Sequence, residues 1–302
     1  MKPVLLTIMD GFGLRKEEKG NAVKLAKKPN LDHIWDIYSY SRLEASGEEV
    51  GLPAGQMGNS EVGHLNIGGG RIVYQPLELI NKNIKEDTFF ENGELKELMD
   101  HVKKNDSKLH IFGLLSDGGI HSHINHIMAL LEMAKKEQVS EVYVHAFLDG
   151  RDTLPNIALT FLDQLTIKMQ ELGVGKLADI SGRYYSMDRE RMWDLTKQYY
   201  DLLVYQQAPI NSDYTDCIKK NYQEEKYDEF IVPTIIDKNG KLEENDGLIL
   251  ANFRPDRATQ TFTAITNPSF KEFKTEKFSN IKLVTMMPVE KSIISKNAFQ
   301  IP

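Results

Sequence analysis

Residues 108–149 read KLHIFGLLSDGGIHSHINHIMALLEMAKKEQVSEVYVHAFLD, and this stretch decides the fold class. The apolar run at 108–116 has the length of a buried strand, and the run at 141–149 has it again. Between them, residues 123–137 repeat apolar side chains at helical spacing and end in basic residues. A strand, a helix and a strand in this order predict two parallel strands joined by a covering helix.

The same alternation extends along the whole chain. It predicts further strands at 3–10, 176–183, 230–236 and 247–253, and further helices at 30–38, 76–84 and 157–173. Strands that alternate with helices predict an α/β protein with a mostly parallel sheet covered on both faces. The length of 302 residues favours two domains, and we expect their boundary between residues 75 and 76, after a glycine-rich segment.

Composition and charge exclude several classes of protein. A net charge of −7 and a pI near 5.7 argue against a nucleic-acid binder. No apolar stretch approaches the roughly twenty residues of a membrane span, so we expect no membrane partner. The single cysteine, Cys217, excludes an internal disulfide framework, predicts a cytoplasmic protein and has the polar neighbours of an incidental surface thiol.

Arginine is distributed unevenly. The chain has 37 Lys and Arg residues but only nine arginines, and six of these lie in three patches at 151, 183–191 and 254–257. Arginine binds phosphate or carboxylate with two parallel hydrogen bonds, which lysine cannot do. The patches indicate either a site for a small anion or three unrelated ion pairs with neighbouring aspartates.

Polar motifs follow the predicted strands at the points where they end. They are Asp10, SDGGIHSH (116–123), DGRD (149–152), SGRYY (181–185) and NFRPDR (252–257). Ligands of open α/β sheets bind beyond the carboxyl ends of the strands. We therefore expect these motifs to form the rims of functional sites.

The segment GQMGNSEVGHLNIGGGR (55–71) surrounds one serine with glycines. Taken alone it is a surface loop or a place where a ligand approaches the backbone. Ser60 is a candidate nucleophile if a base or a metal activates it, and Asp10 is a metal ligand or a turn aspartate. No phosphate-binding P-loop and no dinucleotide fingerprint is present, so no nucleotide is expected.

The HSHINH motif (121–126) offers three histidines within six residues. One interpretation is a zinc site. The other is a histidine at a helix start that donates a hydrogen bond to an anion. Their spacing alone leaves both open.

Six motifs in order, MDGFG, GQMGNSEVGHLNIGGGR, LLSDGGIHSHINH, FLDGRDTLP, SGRYYSMDRERMWDLT and NFRPDRA, resemble the cofactor-independent phosphoglycerate mutases of the alkaline phosphatase superfamily. The resemblance implies the first part of a phosphatase-like metal domain (1–75) followed by an α/β transferase domain (76–302). It implies a glycolytic isomerase that interconverts 3- and 2-phosphoglycerate through a phosphoserine, with two Mn²⁺ or Mg²⁺ ions and without 2,3-bisphosphoglycerate.

The resemblance also implies roles for particular residues. Ser60 would be the nucleophile and a metal ligand, and Asp10 a second ligand. The substrate-binding residues would be His121, Arg151, Asp152, Arg183, Arg189, Arg254 and Arg257. This assigns the HSHINH motif to the substrate and not to zinc.

This sequence departs from the family pattern in lacking a C-terminal segment that supplies the remaining metal ligands. We therefore expect that this chain alone has no activity and that its first 75 residues are poorly supported, depend on a partner or are covered by a second polypeptide. We also expect a monomer. Two alternatives are another metal-dependent phosphomutase or phosphatase of the superfamily, such as a phosphopentomutase, and a non-catalytic phosphoglycerate-binding fragment.

Overall fold

A computed structural model describes residues 3–257 and 259–300. The contacts between Cα atoms divide the chain into two compact units, Met1–Val73 and Tyr74–Pro302. The boundary expected from the sequence, between residues 75 and 76, lies two residues beyond this division.

Within residues 3–73 the first unit contains three helices, α1 (Ala22–Leu25), α2 (Pro29–Ile37) and α3 (Ser60–Gly69), and a 3₁₀ turn at Gly47–Val50. Helix α2 confirms the helix predicted at 30–38. Helix α3 takes up most of the glycine-rich segment. It begins there because the Asn59 side chain accepts a hydrogen bond from the Val62 N–H, and it ends at Gly70 in the left-handed conformation.

The strand predicted at residues 3–10 is wrong for this structure. The described residues of the first unit contain no strand, and Val4 and Leu5 are almost fully exposed. An isolated strand is not stable, because its backbone hydrogen bonds and its apolar faces both need neighbouring strands. Nothing in this unit supplies such a neighbour within residues 3–73.

The second unit is an α/β domain. Its helices are α4 (Pro76–Lys85), α5 (Gly93–Asn105), α6 (Ile124–Lys136), α7 (Ala158–Leu172), α8 (Arg183–Ser186), α9 (Trp193–Tyr205), α10 (Tyr214–Gln223) and α11 (Thr259–Thr266). Its strands are β1 (Leu109–Leu115), β2 (Val142–Leu148), β3 (Lys176–Gly182), β4 (Thr234–Ile235), β5 (Gly247–Leu250), β6 (Lys282–Thr285) and β7 (Lys296–Asn297).

These strands form one sheet in the order β4-β3-β2-β1-β5-β6-β7. Every neighbouring pair is parallel except β3 and β4, which are antiparallel. The mostly parallel sheet is therefore confirmed. The strand predicted at 230–236 is reduced to β4, because residues 228–230 form a 3₁₀ turn.

The two faces of the sheet carry separate apolar cores. Ile111 faces a core built with helices α5, α6 and α7, and Phe112, its neighbour along β1, faces a core built with α9 and α11. Helices thus cover both faces, as the near-continuous apolar strands predict. None of the described helices is long and apolar enough to cross a membrane.

Cys217 is not the surface thiol that its polar neighbours predicted. It lies on the inner face of α10 and is buried, because the apolar residues of this helix recur on that side. Burial raises the pKa of its thiol. The side chain is therefore a core residue rather than a reactive one.

A fully buried network of polar side chains links β1, β2 and β3 to Asp246, the residue before β5. Asp246 Oδ2 lies 3.0 Å from His110 Nε2, and His110 Nδ1 lies 2.8 Å from His145 Nε2. His145 Nδ1 lies 2.5 Å from Asp179 Oδ2, and the Tyr199 hydroxyl donates to the other oxygen of Asp179 at 3.2 Å. Buried polar groups of this kind are stable only when each is paired, so this network of side chains fixes the relative positions of these strands.

This network of buried side chains requires one more proton than two neutral histidines supply. Three contacts link the two carboxylates and two imidazoles, and each contact needs one hydrogen, whereas two neutral imidazoles supply two. Burial lowers the pKa of His110 to about 4, so His110 is neutral at pH 7. We predict that His110 stays neutral in this network. Imidazole ¹⁵N spectra at pH 7.5 should show a hydrogen on only one ring nitrogen of His110; hydrogen on both of its nitrogens would contradict the effect of burial on its pKa.

A second prediction concerns His126, which is buried in α6. Burial, followed by the charge of His123, lowers its pKa to about 3. An ordinary histidine binds a proton near pH 6.5, so between pH 6.5 and 3 the unfolded chain binds one more proton than the folded chain. The free energy of unfolding therefore decreases as the pH falls through this window, by about 1.4 kcal/mol per pH unit for this group.

Replacing His126 by Gln should remove that part of the pH dependence while Gln keeps a donor toward Asn81 Oδ1. Urea unfolding at several pH values measures it. The control is His33→Gln on the exposed surface of α2, which should leave the slope unchanged. Equal slopes for wild type and His126→Gln would show that His126 does not resist protonation.

Candidate active site

The strand order places the predicted motifs of the second unit at one edge of the sheet. From β1, the chain proceeds to β2 and β3 on one side, whereas β5 and β6 lie on the other. Ligands of open sheets bind in the crevice where the strand order reverses, beyond the carboxyl ends. Here that position lies between the loop after β1, which carries His121, and the loop after β5, which carries residues 252–257.

Backbone and amide contacts hold these two loops together. The His121 carbonyl oxygen accepts a hydrogen bond from the Phe253 N–H at 2.8 Å. The Asn252 side-chain oxygen accepts from the Leu114 N–H at 3.0 Å, and Asn252 is buried. The side chains that follow on the two loops are therefore held at fixed relative positions.

Arg183 is the buried centre of the site. Its Nη1 donates to Asp149 Oδ1 at 2.6 Å and to Asp152 Oδ2 at 2.7 Å, and its side chain is 2% exposed. Asp149 also accepts from the backbone N–H groups of Arg151 and Asp152. Arg183 thus joins the end of β3 to the loop after β2 with charge-assisted hydrogen bonds.

His121 lies beside this ion pair and is almost fully buried. Its Nε2 is 3.8 Å from Asp152 Oδ2, and its Nδ1 is 3.5 Å from Asp256 Oδ1. Burial lowers its pKa to about 4, with a further contribution from the Arg183 charge. His121 is therefore neutral at pH 7, and its Nδ1 has no hydrogen-bond partner.

Two arginines from different loops meet at Asp256. Arg189 Nη1 donates to Asp256 Oδ2 at 3.0 Å, and Arg254 Nε lies 3.1 Å from Asp256 Oδ1. Both arginines are about half exposed, so solvent or a ligand reaches their remaining N–H groups.

Arg257 and Arg151 complete the cationic cluster. Burial lowers the pKa of Arg257, and the charges of Arg183, Arg189 and Arg151 lower it further, in that order. Four guanidinium groups therefore act on one another across the site. Arg151 is exposed and lies 3.4 Å from Glu229 Oε1.

The three histidines of the HSHINH motif point to different partners. His121 faces the arginine cluster, His123 caps α6 through the Asn125 N–H, and His126 is buried against Asn81. Within residues 3–257 and 259–300, no group of three or more His, Cys, Asp or Glu side chains is arranged to hold a metal ion. The described geometry therefore gives the zinc interpretation no support.

In the first unit, Ser60 and Asp10 are brought together across 50 residues. The Ser60 hydroxyl donates to Asp10 Oδ2 at 2.6 Å. His64 Nδ1 lies 3.2 Å from this hydroxyl but 2.7 Å from the Ser60 carbonyl oxygen, to which it donates in the tautomer that satisfies that shorter contact. Asp10, rather than His64, is then the hydrogen-bond acceptor for the serine.

At one position of this segment, a steric contact explains why the residue is glycine. A Cβ atom at Gly58 would lie 1.7 Å from the Ala45 carbonyl oxygen, so no other residue fits without moving the backbone. This contact brings the chain before Ser60 against residues 45–46. The glycine therefore serves the local packing of the segment that presents the serine.

Three acidic residues of the site were not among those assigned from the sequence. Asp149 lies between Arg183 and the loop backbone, Asp256 joins Arg189 to Arg254, and Glu229 pairs with Arg151. Asp149 and Asp256 stand inside the DGRD and NFRPDR motifs, so the arginine next to each was the available signal. Glu229 carries no such signal, because it comes from the 3₁₀ turn before β4.

A cavity of about 960 Å³ lies elsewhere in the second unit, between α5, β6 and residues 264–283. None of the predicted substrate-binding residues lines it. Its walls combine apolar side chains with positively charged lysines and negatively charged glutamates. The arginine cluster at the strand ends has the charges that a small anion requires.

Comparison with known proteins identifies the family of this chain. The family model described as BPG-independent PGAM N-terminus matches residues 80–291. The 2,3-bisphosphoglycerate-independent phosphoglycerate mutase of Clostridium beijerinckii is 50% identical over 305 aligned residues, which cover 100% of this chain and 59% of that protein. The protein of the same name from Clostridium novyi is 49% identical, covering 97% of this chain and 58% of its own length.

A solved structure is also similar. It is described as Leishmania mexicana phosphoglycerate mutase at low cobalt concentration, and it matches with a TM-score of 0.72 and 30% identity over 93% of this chain and 54% of its own. The chain thus spans a little under three fifths of the curated relatives it matches. Since the family model covers more than half of its residues, the chain belongs to the 2,3-bisphosphoglycerate-independent phosphoglycerate mutase family.

Proposed function

We propose that this chain carries the substrate-binding domain and the nucleophilic serine of an enzyme that interconverts 3- and 2-phosphoglycerate. The observation that supports it most is the convergence of Arg183, Arg189, Arg254 and Arg257 at the carboxyl ends of β3 and β5, next to a neutral buried histidine. Without a bound anion, guanidinium groups this close repel one another. A ligand with two anionic groups relieves that repulsion.

Phosphoglycerate has the groups that this site accommodates. Its phosphoryl and carboxylate groups each accept paired hydrogen bonds from guanidinium groups. Its free hydroxyl needs a neutral donor or an acceptor, and His121 Nδ1 and Asp149 Oδ2 are buried polar atoms without a partner. A bound molecule with a hydroxyl between its anionic groups would satisfy atoms that are otherwise costly to bury.

For the transfer step, we propose that Ser60 Oγ attacks phosphorus while the bond from phosphorus to the glycerate oxygen breaks. The freed glycerate oxygen takes up the proton that the Ser60 hydroxyl loses. Attack by the other glycerate hydroxyl then breaks the bond from phosphorus to Ser60 Oγ, and the proton of that hydroxyl returns to Ser60. Asp10 accepts the hydrogen bond of the serine and orients its oxygen. A divalent cation held by Asp10 and Ser60 would favour the ionised hydroxyl and offset phosphoryl charge.

The residues of this chain fit such a cation only in part. The two oxygens, 2.6 Å apart, are hard ligands suited to Mn²⁺ or Mg²⁺ and close enough to bind one ion together. Such ions prefer about six oxygen ligands, and no group of three or more His, Cys, Asp or Glu side chains within residues 3–257 and 259–300 is arranged to hold one. We propose that the complete enzyme uses two divalent ions, no nucleotide and no bisphosphoglycerate, and acts in the cytoplasm as a monomer.

Two other functions remain as alternatives. Another phosphomutase or phosphatase of the superfamily would share Ser60 and Asp10, but the arginine cluster favours a substrate with a second anionic group over a sugar phosphate. A non-catalytic phosphoglycerate-binding fragment is favoured by the incomplete ligand set around Ser60. Binding of 3-phosphoglycerate, compared with ribose 1-phosphate, distinguishes the first alternative.

We predict that Arg257→Lys and Arg151→Lys weaken the binding of 3-phosphoglycerate by about 1–3 kcal/mol while the chain stays folded. Lysine keeps the charge but cannot form paired hydrogen bonds. Calorimetric titration measures the change, with Arg42→Lys on the exposed surface of the first unit as the control. Arg183→Lys should in addition lower the free energy of unfolding, because Arg183 is buried between two aspartates. Unchanged affinity in all these variants would mean that the arginines form structural ion pairs.

We also predict that the 302-residue chain alone binds 3-phosphoglycerate in the presence of EDTA but does not convert it to 2-phosphoglycerate. The cationic cluster needs no metal to bind an anion, whereas two ligands are too few to activate Ser60. Ser60→Ala should therefore leave the affinity unchanged. A coupled assay with added Mn²⁺ tests the second half, and metal-stimulated conversion by the chain alone would contradict it.

A further inference from the structure

We propose that Asp256 is an internal counter-anion that occupies the phosphate position of the ligand-free site and is displaced when a phosphate group binds. This inference deepens the proposed function, on which it rests for the identity of the natural ligand. The inference that this is a phosphate site has a separate basis, which is the set of contacts that Asp256 makes.

Asp256 is the point at which three separate loops meet. Arg189 follows β3, Arg254 follows β5 and His121 follows β1, and all three present a nitrogen atom to the Asp256 carboxylate at 3.0, 3.1 and 3.5 Å respectively. A carboxylate surrounded by two guanidinium groups and an imidazole has the surroundings that a bound phosphate oxygen would have. Asp256 thus lies among residues to which the resemblance to the family gives a role in substrate binding.

Two carboxylates of the site, those of Asp149 and Asp256, differ in how firmly they are held. Asp149 is buried, and one of its oxygens accepts oriented hydrogen bonds from the Arg183 side chain and from two backbone N–H groups. Asp256 is 32% exposed, and its Oδ1 has no oriented hydrogen bond in spite of two nearby nitrogens. Asp149 is therefore held by oriented hydrogen bonds, whereas Oδ1 of Asp256 is held mainly by electrostatic attraction to the neighbouring arginines.

His121 supplies an independent indication that something else belongs beside Asp256. Its side chain is more than nine-tenths buried, and its Nδ1 has no hydrogen-bond partner although it faces Asp256 at 3.5 Å. A buried unpaired donor or acceptor costs free energy that a fitted ligand recovers. A phosphate oxygen in place of the carboxylate would accept hydrogen bonds from His121 and from both arginines.

Exchange of one anion for another has a specific physical consequence. While the site is empty, Asp256 offsets the repulsion among the guanidinium groups and keeps Arg189 and Arg254 in place. An incoming phosphate must displace it, so Asp256 opposes binding by competing for the same donors and by like-charge repulsion. Any anion without enough charge to replace it, such as a monovalent one, is excluded.

The test is the affinity for inorganic phosphate of the full 302-residue chain at low ionic strength, measured by calorimetry in EDTA. Asp256→Asn should bind phosphate at least about threefold more tightly than wild type, the effect of removing one like charge about 6 Å away even at the dielectric of water. The gain should shrink at high salt. Asp256→Glu, which keeps the charge, should show no such gain.

Asp216→Asn is the matched control, because it removes the same charge from a pair with Lys220 on α10. Its phosphate affinity should equal that of wild type. Unfolding curves verify that each variant is folded, which we expect because Asp256 is partly exposed and lies in a loop. If Asp256→Asn alters stability, Asp256→Glu provides the comparison. Weaker binding by Asp256→Asn, equal binding by Asp256→Asn and wild type, or no phosphate binding by either would each overturn the proposal.

Titration of 3-phosphoglycerate in parallel separates this inference from the proposed function. If Asp256→Asn binds phosphate more tightly but wild type does not prefer 3-phosphoglycerate to inorganic phosphate, the counter-anion stands and the proposed substrate fails. If wild type prefers 3-phosphoglycerate and Asp256→Asn weakens both ligands, the substrate stands and Asp256 is instead a positioning residue for its arginines.

Discussion

The second unit depends on the buried contact of Arg183 with Asp149 and Asp152. A guanidinium group removed from water is destabilising unless carboxylates surround it, and two carboxylates this close repel one another unless a cation lies between them. The three side chains therefore stabilise one another only in this arrangement. Because they come from the ends of β2 and β3, they fix the loop that carries Arg151 and Asp152 relative to the sheet.

The topology of the sheet gives this contact its significance. Parallel strands end at the same edge, and the reversal of strand order beside β1 opens a crevice there. The loops after β1, β3 and β5 bring His121, Arg189 and Arg254 to Asp256 at that edge. Side chains that are separated by up to 135 residues in the sequence thus form one site.

Much of this could be predicted from the sequence, for identifiable reasons. Strands β1 and β2 are near-continuous apolar runs, and α6 and α7 have strong helical spacing, so their local pattern suffices. The extended segment at 3–10 has the same pattern and yet forms no strand, because a strand also needs a neighbour that the described residues 3–73 do not supply. Strand β6, with one exposed and three buried residues, is too short for its pattern to be distinctive.

The site was predictable to the extent that motifs contain its residues. Arginines stood out because they are few, whereas Glu229 and the pairing of Asp256 depend on how loops meet in space, which spacing along the chain does not encode. The most direct test of the account is a crystal structure of this chain with 3-phosphoglycerate in metal-free buffer. The account predicts a phosphoryl group within hydrogen-bonding distance of Arg189 and Arg254, with the Asp256 carboxylate moved away from both. A ligand bound elsewhere, with the Asp256 ion pairs intact, would contradict it.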